Sequence, residues 1–347
     1  MWTGDGLLRA YNLTGDNMID VIIPAHKKDI DTLDLCIDGI RENVKDVRRI
    51  IVVSKEKLTN NAEFYAEEKF SFSFEDVGNI IGFHNRTCKY YGASLQMTAP
   101  LVIPDLERDI LTCDSDTIFL NPIEFIDEND NALYSVSYDI APNVTVHPYI
   151  EHCNKLIPGL GKETQYSGIC HHTLIQKNIL QEIFDEVESH HGHPFWKSNL
   201  LTTLTPYKSL TFPNQIKDGK PNHSDCPLLV TTYEFYFNYV MKYHPNRCKI
   251  RKLKQILGYK GRHGVQGESL EKVGSRSNLD GNIQILCKEE EDKFSFDSFS
   301  DSCKYISKKC KQKGWDVVTF QNHTRIGSHE DRKRHESEID EILNDQR

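Results

Sequence analysis

Residues 109–120 read DILTCDSDTIFL, an apolar run that the acidic triplet Asp114-Ser115-Asp116 interrupts before it resumes. The run predicts a buried strand, and in an extended chain two residues that are two positions apart point to the same side. Asp114 and Asp116 are therefore expected to project together from the carboxyl end of this strand, the edge where open α/β sheets bind their ligands. Carboxylate oxygens suit Mg²⁺ or Mn²⁺, which commonly bridge protein carboxylates and substrate phosphates. The stretch predicts a site for a divalent cation.

The sequence before this stretch predicts a strand–helix–strand unit. Residues 18–24 (MIDVIIP) and 47–54 (VRRIIVVS) are short apolar runs, typical of parallel strands that are buried on both faces. Between them apolar side chains recur every three or four residues, as on one face of a helix: Ile30, Leu33, Ile37, Ile40 and Val44. The predicted fold class is α/β, with a mostly parallel sheet flanked by helices. Further along, the spacing of apolar residues predicts a helix over residues 172–189.

The net charge of the chain limits the functions that it can have. A charge of −9 over 347 residues argues against a general nucleic-acid binder, because phosphate contacts need a basic face. The basic segment 242–263 is the exception, and it is either a solvated helix face, which we favour, or a rim that attracts a diphosphate or an anionic acceptor. No apolar run approaches the ~20 residues that a membrane-spanning helix needs, and residues 1–6 show no secretory signal. We therefore expect a cytoplasmic protein without a transmembrane segment.

Four blocks of sequence resemble those of a known family: residues 20–29 (DVIIPAHKKD), 110–120 (ILTCDSDTIFL), 166–172 (YSGICHH) and 232–239 (TYEFYFNY). Together they resemble nucleotide-sugar-dependent glycosyltransferases of the GT-A fold, in particular a poorly characterised group of polysaccharide-type sugar transferases from bacteria and large DNA viruses. The resemblance implies a GT-A (Rossmann-like) sheet with an acceptor-side region of helices and loops. It also implies a UDP-sugar as the donor, a glycan-type acceptor, and Mn²⁺ or Mg²⁺ as the cofactor.

The resemblance assigns a donor pocket to particular residues. Four residues after the first strand would line the pocket for the base and ribose: Pro24, Ala25, His26 and Lys28. Arg86 and Gln96 would approach the diphosphate or the donor sugar. Asp114, with Ser115 beside it, would contact the ribose or the metal.

The same resemblance implies a set of metal ligands. Asp116 would bind the metal directly, and Asp114 is the other acidic candidate. Enzymes of the GT-A fold often add a late histidine as a further ligand, and His323 is the best placed by its order along the chain, with His172 and His263 as rivals. At least one member of the pair 171–172 is expected to line the cleft, while the other is expected to be buried for structural reasons.

An inverting transfer also needs a carboxylate that accepts the proton of the acceptor hydroxyl. Glu234 is the first candidate for this general base, and Asp225 is the second. The alternative for Glu234 is a carboxylate that complements the dipole at a helix N-terminus, and Asp225 could equally be a helix cap or a turn residue. A retaining transfer would need neither residue as a base.

The predicted organisation is a single GT-A domain with two halves. The segments are an N-terminal extension (residues 1–17), a nucleotide-sugar-binding α/β half (18–140), an acceptor-binding half (141–328) and a charged C-terminal tail (329–347). The expected partners are the nucleotide-sugar donor and a glycan or other hydroxyl acceptor.

Other interpretations of the acidic triplet remain open. Asp and Ser both favour turns, so the triplet could be a plain polar turn. A haloacid-dehalogenase-like phosphohydrolase also has a DxDxT string after a strand, and Asp114-Ser115-Asp116-Thr117 matches it, although no GDxxxD follows downstream. A third alternative is a catalytically silent sugar-binding protein with a transferase-like fold.

Overall fold

The structure of the protein is a computed structural model that describes residues 18–83, 87–137, 140, 144, 147–205, 207–208, 216–217, 220–221, 230, 232–259, 299–312 and 314–321. The strands in these ranges are β1 (Ile19–Pro24), β2 (Val47–Ser54), β3 (Glu63–Ala66), β4 (Asp109–Cys113), β5 (Thr117–Phe119), β6 (Ala132–Ser135), β7 (His172–Gln176), β8 (Ile216–Lys217), β9 (Lys220–Pro221), β10 (Cys248–Arg251), β11 (Gln255–Tyr259) and β12 (Val317–Gln321). The helices are α1 (Ile30–Asn43), α2 (Phe74–Ile81), α3 (Thr87–Val102), α4 (Pro148–Leu156), α5 (Lys177–His191), α6 (Phe195–Leu201), α7 (Thr232–Tyr243) and α8 (Phe299–Gln312).

The central sheet has the strand order β3-β2-β1-β4-β7. Its first four strands are parallel, and β7 pairs antiparallel with β4. The unit β1–α1–β2 is the predicted strand–helix–strand unit. Helices pack on both faces of the sheet, since Val21 and Ile23 of β1 belong to one apolar core and Ile22 belongs to a second core on the opposite side. The predicted fold class, a mostly parallel α/β sheet flanked by helices, is confirmed.

A second, smaller sheet begins where the central sheet ends. Strand β5 pairs antiparallel with β12, and β12 pairs parallel with β11. The hydroxyls of Thr117 and Thr319 are 3.0 Å apart across this pairing. The acidic triplet therefore lies where the chain passes from β4 of the central sheet to β5 of the smaller one. Strands β6 and β10 form a separate parallel pair.

The structure corrects the predicted helix over residues 172–189. Residues His172–Gln176 form strand β7, with every side chain buried, and helix α5 begins only at Lys177. The reason is tertiary, because these five residues complete the central sheet beside β4. Among the helices in the described ranges, none has the length and apolar character needed to cross a bilayer.

Two fully buried histidines are held in the neutral form. The ring of His152 lies 2.9 Å from the hydroxyl of Tyr207 and 2.8 Å from Oδ1 of Asn199, and Nε2 of His172 lies 2.9 Å from Oγ of Ser135. Burial lowers the pKa of His152 to about 4 and the pKa of His172 to about 3. Both rings stay neutral in the folded protein where they would already be charged in the unfolded chain.

Acid is therefore expected to destabilise the fold below about pH 6.5, where unfolded histidines take up a proton. Above that pH the two rings are neutral in both the folded and the unfolded protein, so their ionisation does not change the free energy of unfolding. Between there and about pH 4, His152 alone is expected to remove about 3 kcal/mol. Urea unfolding across this range measures the effect. His152→Gln should make the free energy of unfolding depend less steeply on pH. His190→Gln, at an exposed histidine, should leave this dependence unchanged. The same pH dependence in His152→Gln and in the unchanged protein would contradict the prediction.

Candidate functional site

The acidic triplet forms a turn between β4 and β5. The backbone N–H of Thr117 donates to the carbonyl oxygen of Asp114 at 3.1 Å, and the N–H of Asp114 donates to the carbonyl oxygen of His171 at 2.9 Å. The N–H of Phe320 in β12 donates to the carbonyl oxygen of Asp116 at 2.8 Å. The backbone is thus a turn rather than the extended continuation that the spacing argument assumed. This turn lies at the carboxyl end of β4, beside the carboxyl end of β1.

The carboxylate of Asp114 accepts hydrogen bonds from three side chains. The hydroxyl of Tyr233 donates to Oδ1 at 2.6 Å, and Nε2 of Gln96 donates to the same oxygen at 3.2 Å. Nδ1 of His171 lies 2.9 Å from Oδ2. Burial would raise the pKa of Asp114, but His171, Tyr233 and Gln96 outweigh it and hold that pKa below its ordinary value. Asp114 is therefore ionised and held in one orientation.

Asp116 has a different environment. Within the part of the chain that the structure describes, no side chain is seen to donate a hydrogen bond to its carboxylate. Burial and then the negative charge of Asp114 raise the pKa of Asp116 to about 7, while His171 and Lys28 act in the opposite direction. The effects of His171 and Lys28 therefore do not offset burial and the charge of Asp114. A bound cation would supply further positive charge.

The described residues supply only part of the ligand set that a divalent cation needs. Among these residues no group of three or more His, Cys, Asp or Glu side chains could hold a metal ion. Two carboxylates are nevertheless enough for Mg²⁺-type sites, where substrate phosphates and water complete the oxygen shell. The predicted third ligand, His323, lies outside the described residues, and the described chain ends at Gln321, one residue past the backbone contact between Phe320 and Asp116.

The loop after β1 is next to this turn. Ala25 is fixed by its N–H, which donates to the carbonyl oxygen of Val53 at 2.9 Å. His26 caps the short helical turn Lys27–Asp29, because its ring accepts from the N–H of Lys28 at 3.3 Å. The exposed Lys28 is close enough to Asp116 for its charge to act on that carboxylate. Pro24, which ends β1, leads into this loop.

Glu234 is fully buried in the first turn of α7. Its Oε2 accepts from the hydroxyl of Ser167 at 2.6 Å and from the N–H of Gly168 at 2.8 Å, and its Oε1 accepts from Nδ2 of Asn238 at 2.9 Å. Burial raises the pKa of Glu234, and these hydrogen bonds oppose the rise. The contacts are those of a side chain that holds the loop 163–171 against α7. They favour a structural role, and the role of general base stays a prediction.

Gly168 permits the close approach of this loop to α7. A Cβ atom at this position would lie 2.4 Å from Cβ of Phe237 and 3.0 Å from the carbonyl oxygen of Tyr233. Any side chain would therefore push the loop away from the helix. Three residues further on, His171 reaches Asp114 with a positive φ of 61°.

The remaining predicted site residues fall into two groups. Ser115 and Gln96 are buried beside the turn, and both polar atoms of Gln96 bond within the protein, so its contact with a donor stays a prediction. His172 is buried against Ser135, whereas its neighbour His171 is the one that contacts Asp114. Several residues lie outside the described ranges: Arg86, Asp225, His263 and His323.

Three basic side chains in the described part of the segment 242–263 pair within the protein. Lys242 bonds Glu163 at 3.2 Å, and Lys249 bonds Asp127 at 2.6 Å. Nη1 of Arg251 donates to the carbonyl oxygen of Glu124. These contacts favour a surface segment over a rim that attracts an anion, but the segment is not a helix face, because it contains strands β10 and β11.

Sequence reasoning did not connect Tyr233 and His171 with Asp114. His171 lies in the block YSGICHH and Tyr233 in the block TYEFYFNY, and neither block by itself shows that its residue contacts Asp114. In the structure the hydroxyl of Tyr233 bonds Asp114 and its side chain is buried. The sequence feature that could have pointed to these two residues is a polar group within a block that is otherwise mostly apolar.

Comparison with known proteins gives no family for the chain. No protein-family model matches it, and no curated protein matches it. Among solved structures, the chain is similar to an active-site mutant of LgtC, with 10% sequence identity and a TM-score of 0.38 over 93% of this chain and 96% of that chain. At that identity and TM-score the similarity carries no functional argument, and the fold class rests on the sheet topology described above.

The two roles considered for Glu234 differ in what Glu234→Gln would do. If the carboxylate holds the loop, the free energy of unfolding is expected to fall by about 1–3 kcal/mol, because one amide nitrogen would face a buried donor. If Glu234 is the general base, turnover would fall while the free energy of unfolding stayed unchanged. Urea unfolding together with a turnover assay separates the roles, and Glu186→Gln, at an exposed glutamate, is the control.

Proposed function

We propose that the chain is a metal-dependent glycosyltransferase that moves a sugar from a nucleoside-diphosphate sugar, with UDP as the nucleotide, to a glycan or other hydroxyl acceptor. The observation that carries the proposal is the acidic turn at the carboxyl edge of a parallel sheet. There burial and the charge of Asp114 raise the pKa of Asp116 to about 7, and the opposing effects of His171 and Lys28 do not offset them. Such a site fits Mn²⁺ or Mg²⁺ bound together with a diphosphate.

The residues of the chain then have separate tasks. Asp116 would hold the cation, Asp114 would complete its acidic side, and Lys28 would attract the negative diphosphate from the neighbouring loop. When bound, the cation neutralises the diphosphate as the bond to the sugar breaks. Asp225, outside the described residues, and Glu234 remain the candidates for a base in an inverting transfer. His323 remains the candidate for a further ligand.

The geometry is less suited to the phosphohydrolase. That class needs its first aspartate as a nucleophile, and here Oδ1 of Asp114 already accepts from two donors while Oδ2 faces His171. A carboxylate whose oxygens are occupied in this way is a poor attacking group. No observation in the described residues favours the catalytically silent alternative over a transferase.

Donor turnover tests the proposal directly. Incubation with a panel of nucleotide sugars and Mn²⁺ is expected to release free nucleoside diphosphate, and release should stop when a chelator removes the metal. A parallel incubation with phosphomonoesters should yield no inorganic phosphate. Phosphate release without nucleotide release would support the phosphohydrolase and overturn the transferase.

A further inference from the structure

Three separate elements meet at the carboxylate of Asp114. Gln96 comes from α3, Tyr233 from the first turn of α7, and His171 from the loop before β7. Two of the three donors are themselves almost enclosed, since Gln96 and Tyr233 are each 7% exposed. Donors from three distant parts of the chain thus converge on the same carboxylate. This convergence indicates an organised site rather than a chance surface contact.

The donors are also fixed by one another. The hydroxyl of Thr232 donates to Oε1 of Gln96, so the amide nitrogen of Gln96 must face Asp114 and the hydroxyl of Tyr233. The hydroxyl of Tyr233 accepts from that nitrogen at 2.5 Å and donates its own proton to Asp114. Two consecutive residues of α7 therefore set the direction of every donor to Oδ1.

A carboxylate offers about four lone-pair positions to donors or metals. The three donors occupy both positions on Oδ1 and one position on Oδ2 of Asp114. One position on Oδ2 is left for a ligand, and its direction is set by the other three. By contrast, none of the described residues donates a hydrogen bond to the carboxylate of Asp116, so both of its oxygens can accept a ligand.

We propose that Tyr233, Gln96 and His171 are positioning residues, which hold Asp114 in one orientation so that its remaining lone-pair position on Oδ2 would be available to the cation that Asp116 would bind. This inference rests on the proposed function. It assigns the three residues a task that acts through Asp114 and does not require them to touch the donor. Outer hydrogen-bond partners of a metal ligand commonly change metal affinity by about 10–100-fold.

Tyr233→Phe tests the proposal because it removes the hydroxyl and keeps the buried ring. Calorimetry with Mn²⁺ in the presence of UDP is expected to show affinity about 10–100-fold weaker than in the unchanged protein. Tyr239→Phe is the matched control, since Tyr239 is a buried tyrosine of the same helix whose hydroxyl bonds Glu186 at 3.2 Å. It should lose thermal stability to a similar extent and keep its affinity for Mn²⁺. Affinity unchanged in Tyr233→Phe would overturn the inference.

A second pair of variants keeps the test valid if Tyr233→Phe does not fold. His171→Asn retains a nitrogen donor close to the position of Nδ1, and asparagine tolerates the positive φ of this residue. It should keep most of the Mn²⁺ affinity that His171→Ala loses. Equal affinities in the two variants would count against the inference. If the unchanged protein binds no Mn²⁺ with UDP, the proposed function fails first, which is a different result from a variant that binds as well as the unchanged protein.

Discussion

Asp116→Ala is expected to abolish metal-dependent binding of UDP and to leave the fold intact. The described residues donate no hydrogen bond to the carboxylate of Asp116, so its removal breaks no contact of that kind. The hydrogen bond from the N–H of Phe320 to the carbonyl oxygen of residue 116 uses the backbone and survives the change. Removal also relieves the burial of a carboxylate and its repulsion by Asp114, which together raise the pKa of Asp116 to about 7. The loss of affinity should exceed the roughly 100-fold that an outer partner of a ligand can cause.

Calorimetry with Mn²⁺ and UDP measures the loss, and urea unfolding checks the fold. Glu63→Ala is a suitable control, because Glu63 is an acidic residue at the start of β3, three strands away from β4, where it pairs with Arg49. A surface ion pair of this kind contributes about 0–1 kcal/mol, so the control should retain both stability and affinity. An unchanged affinity in Asp116→Ala would remove this residue from the metal site and undermine the proposed function.

Gly168→Ala is expected to damage both stability and the site. The new Cβ would meet Cβ of Phe237 at 2.4 Å and the carbonyl oxygen of Tyr233 at 3.0 Å, and the helix backbone has no easy way to retreat. Overpacking of this kind costs about 1–3 kcal/mol of the free energy of unfolding. The loop must also move, which disturbs the hydrogen bonds from Ser167 and Gly168 to Glu234 and shifts His171 away from Asp114.

Gly92→Ala provides the matched control, because a Cβ at Gly92 in α3 has no atom within 4 Å. Alanine is a better helix former than glycine, so this change should stabilise the protein by roughly 1 kcal/mol. Urea unfolding of the two variants should therefore give shifts of opposite sign. If Gly168→Ala folded as stably as the unchanged protein and kept its affinity for Mn²⁺, the close packing of this loop would be irrelevant to the site.

Much of the sheet could be predicted from local patterns. Strands β1 and β2 are apolar on both faces, which marks parallel strands between two layers of helices, and Leu33, Ile37 and Ile40 of α1 are buried as their spacing predicts. Ile30, at the first position of the same helix, departs from this pattern and is 52% exposed. Strand β7 could not be predicted in this way, since only its pairing with β4 distinguishes it from the helix that follows.

Only the part of the site that lies within one short segment of the sequence could be predicted. The acidic turn is visible because Asp114 and Asp116 lie together after a strand. The partners of Asp114 are separated from it by 18 residues for Gln96, 57 for His171 and 119 for Tyr233. No local periodicity connects residues so far apart, and their contact depends on how α3, α7 and β7 pack around the sheet.

The pairing of β12 with β5 has a consequence for biosynthesis. Thr117 contacts Thr319 across 202 residues, and the carbonyl of Asp116 is held by Phe320. Closing so long a loop is entropically costly and tends to come late in folding. The acidic turn therefore gains its last backbone partner only when residue 320 has left the ribosome, so a nascent chain that stops short of Val317 cannot yet carry a finished site.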